Sequence, residues 1–298
     1  MSLSPRLFVR SALFLALAFG AHAAQAQTPP LPAAAIEVRD VMSGGDLDRA
    51  IELPEAWAER EPQNAQAFLW LGRVYGRQAL EASVFTKLSW AGRCREAWET
   101  AVRLDPANID ARFDLLGYYL QAPGMAGGGR DKAEATLPEI DAIHPSYGQL
   151  ARGQIAAAHK DLSAARSHFE AAVAADPASI RARTALANLH LREQRHAEAR
   201  AVWQQALQLK ADDVYAIYQL GRLAALTGEE LEAGLQQLDQ FLAVEDKPSD
   251  LSVEGAHWRR GQILAKLGRI DEARTALQLA SAGDKQVAEL AQADLKKL

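Results

Sequence analysis

The side chains that most often carry out chemistry are scattered through this sequence. It has seven histidines, but none stands at the spacing of a metal-binding motif. His190 and His196, for example, are six residues apart and would face different sides of a helix. The chain has neither an H-E-x-x-H motif nor a G-x-S-x-G nucleophile turn, and its carboxylates are dispersed. The sequence therefore predicts no catalytic residues, no metal site and no cofactor.

Cys94 is the single cysteine, so no intramolecular disulfide can form. The absence of a C-x-x-C-H motif also argues against covalently attached haem. We interpret Cys94 as a buried packing residue, the alternative being a reactive thiol. His190 is similarly interpreted as a packed or capped side chain.

A glycine-rich segment with basic neighbours could bind an anion. Residues 121–133 are Gln-Ala-Pro-Gly-Met-Ala-Gly-Gly-Gly-Arg-Asp-Lys-Ala. A glycine loop that enters a helix N-terminus can hold a carboxylate or phosphate through backbone N–H groups. The pattern does not match the nucleotide-binding G-x-x-x-x-G-K-[ST]. The candidate residues are Gly127, Gly128, Gly129, Arg130 and Lys132. The alternative is that this segment is only a flexible spacer.

The elements that must position these groups are indicated by a repeated spacing. Twelve residues separate a small residue from a proline in Ala50–Pro62, Cys94–Pro106, Ala133–Pro145 and Ala165–Pro177. The pair Ala199–Ala211 keeps the spacing without the proline. A period of about 34 residues with such anchors is typical of stacked helical hairpins, each too small to bury its own apolar face. The predicted fold class is an all-α solenoid.

These anchors resemble the tetratricopeptide repeat. The best-matching copy, near residues 146–179, has in place Gly153, Ala165, Phe169, Ala172, Asp176 and Pro177. The next copy, near residues 180–213, has Ala182, Leu186, His190, Ala199, Trp203 and Ala206. Small residues in this pattern let two helices approach closely, while the aromatic residue fills space toward the neighbouring repeat. The Asp-Pro pair ends the second helix because a residue before proline avoids the helical region.

The resemblance implies a solenoid over residues 33–298 with about seven hairpins. The units are expected near residues 31–64, 65–108, 109–145, 146–179, 180–213, 214–250 and 254–283, with a capping helix at 284–298. Pro54 falls inside the second helix of the first unit and is expected to kink it. The capping helix would place Val287, Leu290 and Leu295 on its apolar face.

In the tetratricopeptide-repeat family the first helix of each hairpin lines a concave groove. Carried onto this sequence, the resemblance gives twelve groove residues: Arg73, Arg77, Phe113, Tyr147, Arg181, Asn188, Arg192, Tyr215, Tyr218, Arg222, Trp258 and Arg259. Arginine and aromatic side chains dominate binding hot spots, and arginine can bind a carboxylate through two hydrogen bonds. We expect the groove to bind an extended acidic segment or a C-terminal peptide. Alternatively, the arginines only keep this face solvated. The family's carboxylate clamps use Lys and Asn, and here only Asn188 and the arginines are similar.

Two insertions fall in the same inter-helix turn of adjacent units. One adds about ten residues between Tyr75 and Cys94 and includes Phe85 and Leu88, and the other is the glycine-rich segment. Both are expected on one edge of the solenoid. Their apolar residues would pack in a helical extension or form a surface for a partner.

The N-terminus has the three-part layout of a secretory signal peptide. Arg6 and Arg10 precede an apolar run at 11–20, and a small-x-small cleavage site follows at 24–26. We predict a cleavable signal at 1–26 and a proline-rich leader at 27–32, the alternative being an uncleaved amphipathic N-terminus. Loss of the two arginines would change the net charge from −5 to −7. So acidic a chain is not expected to bind nucleic acid.

Together these patterns predict a non-catalytic scaffold or adaptor of the bacterial cell envelope, located in the periplasm or secreted. Its partner would be a protein or a peptide with an acidic or C-terminal segment, with no nucleic acid and no stable membrane insertion. The alternative is a receptor for a small anionic ligand or phosphate at residues 123–132. An enzyme is disfavoured because no acid–base pair stands out.

Overall fold

The computed structural model describes residues 31–248, 250–283 and 285–298. The predicted signal peptide, and the leader up to residue 30, lie outside the described residues. Within these ranges every regular element is helical and no strand occurs. The α-helices are α1 (Ala33–Gly44), α2 (Leu47–Arg60), α3 (Ala65–Glu81), α4 (Val84–Leu104), α5 (Ile109–Gln121), α6 (Arg130–Ala135), α7 (Leu137–Ile143), α8 (Pro145–Ala158), α9 (Leu162–Ala175), α10 (Ile180–Arg192), α11 (His196–Leu209), α12 (Val214–Thr227), α13 (Leu231–Ala243), α14 (Val253–Lys266), α15 (Ile270–Ala280) and α16 (Lys285–Leu295).

Consecutive helices pack as hairpins, and each hairpin packs on the next. The hairpins are α1/α2, α3/α4, α8/α9, α10/α11, α12/α13 and α14/α15, with α5 followed by the two short helices α6 and α7. The predicted all-α solenoid is confirmed. No described helix has both the length and the apolar character needed to cross a membrane.

Glycines allow the two helices of a hairpin to approach closely. A Cβ on Gly221 would lie 2.5 Å from Cγ of Leu238, and a Cβ on Gly261 would lie 2.6 Å from Cγ of Leu277. A Cβ on Gly153 would overlap the ring of Phe169. Phe169, expected to fill space toward the next repeat, therefore also packs within its own hairpin. A Cβ at any of these three positions would therefore be much closer to its neighbour than the ordinary separation of about 3.5–4.0 Å between carbon atoms.

The first helices of most hairpins begin at a polar residue that caps the helix. The side chains of Asn64, Asn108, Ser179, Asp213 and Ser252 each accept a hydrogen bond from a backbone N–H in the first turn. Such caps satisfy donors that have no partner inside the helix. They fix where each first helix starts, and so which of its residues share a face.

Prolines act differently at three places. Pro145, expected at the end of the third unit, is instead the first residue of α8, a position where its missing N–H costs nothing. Pro138 lies at the start of α7, where the second helix of the third unit is divided into α6 and α7. Helix α2 continues through Pro54 to Arg60.

The insertion in the second unit lengthens both helices of its hairpin. Helix α3 has 17 residues and α4 has 21. Near the tip the side chains of Phe85 and Leu80 are 96% and 75% exposed, and Leu88 is also exposed. The insertion is therefore the predicted helical extension, but these apolar side chains are exposed in the described part of the chain.

The last helix contacts both ends of the helical array. Helix α16 packs on α14, α15 and α1. A Cβ on Gly45, just after α1, would lie 3.6 Å from Cδ of Lys285 at the start of α16. Ala291 is its fully buried residue, whereas Leu290, expected on the apolar face, is 38% exposed. Val287 and Leu295 pack beside Ala291 as expected, so only Leu290 of the predicted stripe lies off the inner face.

Candidate functional site

The twelve groove residues lie on the first helices of their hairpins: α3, α5, α8, α10, α12 and α14. Helix α3 packs on α5, α5 on α8, α8 on α10, and α12 on α14. Helices α10 and α12 are not closely packed against each other. The groove residues therefore fall into an N-terminal part, from α3 to α10, and a C-terminal part, on α12 and α14.

In the N-terminal part, two acidic residues neutralise two of the arginines. Nε of Arg73 donates to Asp114 at 2.7 Å, and Arg181 donates to Asp110. Arg73 also lies 4.0 Å from Asp110, so the four charges form one network across three units. Burial raises the pKa of Asp114, although the guanidinium of Arg73 opposes this rise. These arginines, expected to meet a ligand, are instead paired within the chain.

The aromatic residues of the N-terminal part are also used in packing. Phe113 is buried, with the guanidinium of Arg181 5.0 Å from its ring centre. Tyr147 packs edge-on against Phe113 at 6.3 Å. On the exposed side Arg77 pairs with Glu81 at 2.7 Å.

Asn188 and Arg192 on α10 remain exposed. In the described part of the chain neither side chain has a hydrogen-bond or ion-pair partner. They are the groove residues of α10 that could meet a ligand without first breaking an internal contact.

Two tyrosines begin the C-terminal part. Tyr218 is half-buried and packs edge-on against Phe241 at 4.9 Å. Burial raises its pKa, while Arg222 and Arg259 oppose the rise. The hydroxyl of Tyr215 donates to Asp250 at 2.7 Å, and burial together with this bond raises the pKa of Tyr215. Both hydroxyls therefore stay protonated at neutral pH.

Arg222 and Arg259 are the cations of the C-terminal part. Arg222 donates to the side-chain oxygen of Gln219 at 3.3 Å, and Arg259 donates to that of Gln262 at 2.9 Å. Among the described residues neither arginine forms an ion pair with a carboxylate. Burial lowers the pKa of Arg259, and the neighbouring charge of Arg222 lowers it further. The two arginines are therefore like charges, partly removed from water, whose side-chain acceptors are amide oxygens.

Trp258 forms one wall beside these arginines. The guanidinium of Arg259 stacks on its ring at 3.8 Å. The indole Nε1 donates to Asp294 of α16 at 2.9 Å. The last helix of the chain therefore reaches the predicted groove, a contact that the sequence did not indicate.

Two further arginines, absent from the predicted groove, tie neighbouring units together. Arg112 and Arg183 hold the fourth position of α5 and α10 and are almost fully buried. Arg112 donates to the carbonyl of Pro106 at 2.6 Å, and Arg183 donates to that of Ala178 at 2.8 Å. Their equivalent placement in two units is the sequence signal for this role, and it marks them as structural residues.

The glycine-rich segment forms a compact turn. A 3-10 turn at Gly124–Ala126 is followed by Gly127 with a φ of 87° and Gly129 with a φ of 150°, values that favour glycine. The N–H groups of Gly127, Gly128 and Gly129 donate to the carbonyls of Gly124, Pro123 and Tyr119. The backbone donors proposed to hold an anion are therefore already used within the chain.

The basic residues of this segment are engaged as well. Lys132 donates to the carbonyl of Gly127 at 2.8 Å, and Arg130 pairs with Glu134 at 2.6 Å. Helix α6 has six residues, too few to develop a strong N-terminal dipole. The geometry favours a structural turn over the anion-binding alternative.

The remaining reactive side chains are packed. Cys94 is buried, and burial raises the pKa of its thiol to about 12, so it remains protonated. His190 is buried, and burial lowers its pKa. In the ranges that the structure describes, no three His, Cys, Asp or Glu side chains are grouped as they would be around a metal ion.

The fold and the site define a helical-repeat protein that presents a row of arginine and aromatic side chains along its first helices. Two tetratricopeptide-repeat family models match residues 156–223 and 218–287. They support the tetratricopeptide-repeat family, whose members generally act as non-catalytic scaffolds that bind proteins or peptides. The family resemblance inferred from the anchor residues is thus supported for the fourth to seventh units.

Several solved structures are similar to this chain. A tetratricopeptide-repeat protein from Parabacteroides merdae is 17% identical, with 87% of this chain and 96% of that chain covered and a TM-score of 0.45. YrrB, described as a repeat protein with an unusual peptide-binding site, is 16% identical over 82% of this chain and 98% of that one, with a TM-score of 0.39. A thermophilic repeat protein from Thermus thermophilus is 21% identical over 70% of this chain and 97% of that one, with a TM-score of 0.43. No curated protein matches the chain.

Proposed function

We propose that this protein is a non-catalytic interaction scaffold of the bacterial cell envelope. In this proposal it binds an extended acidic segment of a partner protein along its groove residues. The C-terminal part of the groove provides the main contact, with Arg222 and Arg259 as anchors.

The observation that carries this proposal is a pair of arginines, Arg222 and Arg259, that form no ion pair within the described residues. A guanidinium has five N–H donors, and the structure gives Arg222 and Arg259 one amide oxygen each as a side-chain acceptor. A carboxylate placed between them would accept charge-assisted hydrogen bonds and relieve the repulsion of two partly buried like charges. Arg73 and Arg181 in the N-terminal part are less able to bind a ligand carboxylate, because Asp114 and Asp110 already neutralise them.

Two features favour an extended protein segment over a small anion. Trp258 and Tyr218 flank the arginines with partly buried aromatic surface, a common component of binding hot spots. The exposed amide of Asn188 on α10 offers a further polar contact of the kind that can hold a peptide backbone.

The envelope location in this proposal is supported by the layout of residues 1–26. This layout predicts an exported mature chain that begins at Gln27. Cell fractionation and N-terminal sequencing of the exported protein test this part. Retention of the intact N-terminus in the cytoplasm would refute it.

The binding proposal can be tested with decaglutamate, a synthetic acidic peptide blocked at both ends. Fluorescence anisotropy would compare the wild type with an Arg222→Gln/Arg259→Gln variant. Removal of both anchors should weaken binding at least tenfold, because two charge-assisted contacts are lost. Raising the salt concentration should weaken wild-type binding as well.

The matched control removes two arginines from an exposed surface. Arg269 immediately precedes α15 and Arg274 lies on it, and each pairs with an acidic residue of that helix. Their double replacement by glutamine changes the net charge equally but should leave binding within about twofold of wild type. Equal losses in both variants would mean that only overall charge matters, and the groove proposal would be wrong.

A further inference from the structure

Helix α16 is attached to the solenoid by a small apolar contact. Its buried cluster consists of Leu277, Ala280 and Ala291, and only Ala291 belongs to α16 itself. Val287 and Leu295 pack on this cluster but are partly exposed. Elements with so little buried apolar surface are the ones that detach locally at low free energy.

A polar contact in the groove contributes to this attachment. Oδ2 of Asp294 accepts hydrogen bonds from Nε1 of Trp258 and Nε2 of Gln262, each at 2.9 Å. Its other oxygen accepts from Lys297 at 2.7 Å. Burial alone would raise the pKa of Asp294, but the bonds from Lys297, Trp258 and Gln262 outweigh it and lower the pKa. The group is therefore a carboxylate at neutral pH.

The position of this carboxylate resembles that of a bound acidic ligand. Along α14, Trp258 precedes Arg259 and Gln262 follows it. The negative charge of Asp294 is close enough to raise the pKa of Arg259, opposing the effect of burial. Donors that could hold a partner's carboxylate beside the arginine anchors are thus used by the chain's own last helix.

We propose that α16 is an internal competitor for the acidic segment of the partner. In this inference, which rests on the proposed function, Asp294 occupies the carboxylate position next to Arg259 until the partner's acidic residues displace it. Displacement of α16 also breaks its contact with α1, so binding separates the two ends of the helical array.

The inference makes a quantitative demand on binding. When an internal group closes a site in part of the molecules, the apparent affinity equals the intrinsic affinity multiplied by the fraction of molecules in the open state. Weakening the attachment of α16 must therefore tighten binding of an acidic segment, and binding must in turn loosen α16.

The test combines amide hydrogen exchange with decaglutamate binding. In the wild type, saturating decaglutamate should accelerate exchange of the amides in residues 285–295 severalfold. Without peptide, Asp294→Ala should accelerate the same amides. This variant should bind decaglutamate about five- to tenfold more tightly than the wild type. Asp294→Asn keeps the shape of the side chain and should show smaller changes in the same direction.

The matched control is Asp271→Ala. Asp271 lies on α15 with a fully exposed side chain, so this variant removes the same charge away from the groove. It should change neither the exchange of α16 nor the affinity for decaglutamate by more than about twofold.

The outcomes separate the two proposals. If decaglutamate binds the wild type through Arg222 and Arg259 but slows or does not change exchange in α16, the competitor role is wrong and the proposed function stands. If decaglutamate binds neither the wild type nor Asp294→Ala, the proposed function is refuted, and the competition with it.

Discussion

The close approach of α12 and α13 makes a prediction about Gly221. A Cβ at this position would lie 2.5 Å and 2.7 Å from Cγ and Cδ2 of Leu238, and 3.1 Å from the carbonyl of Gly234. Leu238 is fully buried and cannot swing into solvent. Gly221→Ala should therefore cost about 1–3 kcal/mol through overpacking. The better helix propensity of alanine offsets about 1 kcal/mol of this, leaving a net destabilisation of up to about 2 kcal/mol.

A glycine-to-alanine substitution at an open position should have the opposite effect on stability. Gly92 lies inside α4, and nothing would come within 4 Å of a Cβ on it. Gly92→Ala should stabilise the protein by about 0.5–1 kcal/mol, since only the helix propensity changes. Urea denaturation followed by circular dichroism would compare both variants with the wild type. Because repeat proteins can unfold in parts, hydrogen exchange of the α13 amides should be measured alongside urea denaturation.

A double variant tests whether Leu238 is the cause. Leu238→Ala alone should destabilise by about 2–5 kcal/mol because it leaves a cavity in the core. In that background the clash with Leu238 is gone and only the 3.1 Å approach to the carbonyl of Gly234 is left, so adding Gly221→Ala should become nearly neutral or stabilising. If Gly221→Ala stabilises the wild type as much as Gly92→Ala does, or costs the same in both backgrounds, the argument from close approach is refuted.

Two further predictions concern the groove and the pH dependence of stability. Asp110→Asn should release Arg181 and tighten decaglutamate binding about 1.4- to fivefold, because a partly exposed ion pair contributes about 0.2–1 kcal/mol. Weaker binding in fluorescence anisotropy would contradict this. Burial lowers the pKa of His190 in the folded state. As the pH drops below about 6.5, the unfolded chain therefore takes up a proton at this residue before the folded chain does, and the stability should fall. Urea denaturation at pH 7 and pH 5 should show a smaller loss in His190→Gln, and an unchanged loss would assign the effect to other groups.

The fold was largely predictable because its determinants are local. The spacing of Ala165 and Pro177 indicates where helices pack and end within one hairpin, and the structure buries Ala165 and ends α9 just before Pro177. The prediction that the third unit ends at Pro145 is wrong, since Pro145 begins α8. A proline can either follow a helix or begin one, and the spacing does not distinguish the two.

The charge state of the groove was not predictable in the same way. The sequence predicts that Arg73, Arg181 and Arg222 lie on first helices, but it does not show which of them meets a carboxylate. That depends on contacts between residues far apart in the chain, such as Arg181 with Asp110 and Trp258 with Asp294. An ion pair between distant helices leaves no periodic signal, whereas a helix face does.

The distribution of charge also bears on what kind of acidic partner the groove could accept. The chain is acidic overall, with a net charge of −5, so a long polyanion would be repelled by most of its surface. The local cations Arg222 and Arg259 act only over about a Debye length, roughly 8 Å at physiological salt. A short acidic segment that enters the groove gains their attraction and avoids the distant repulsion, while a nucleic acid cannot avoid it. Under this argument the negative surface contributes to specificity by excluding the wrong anions.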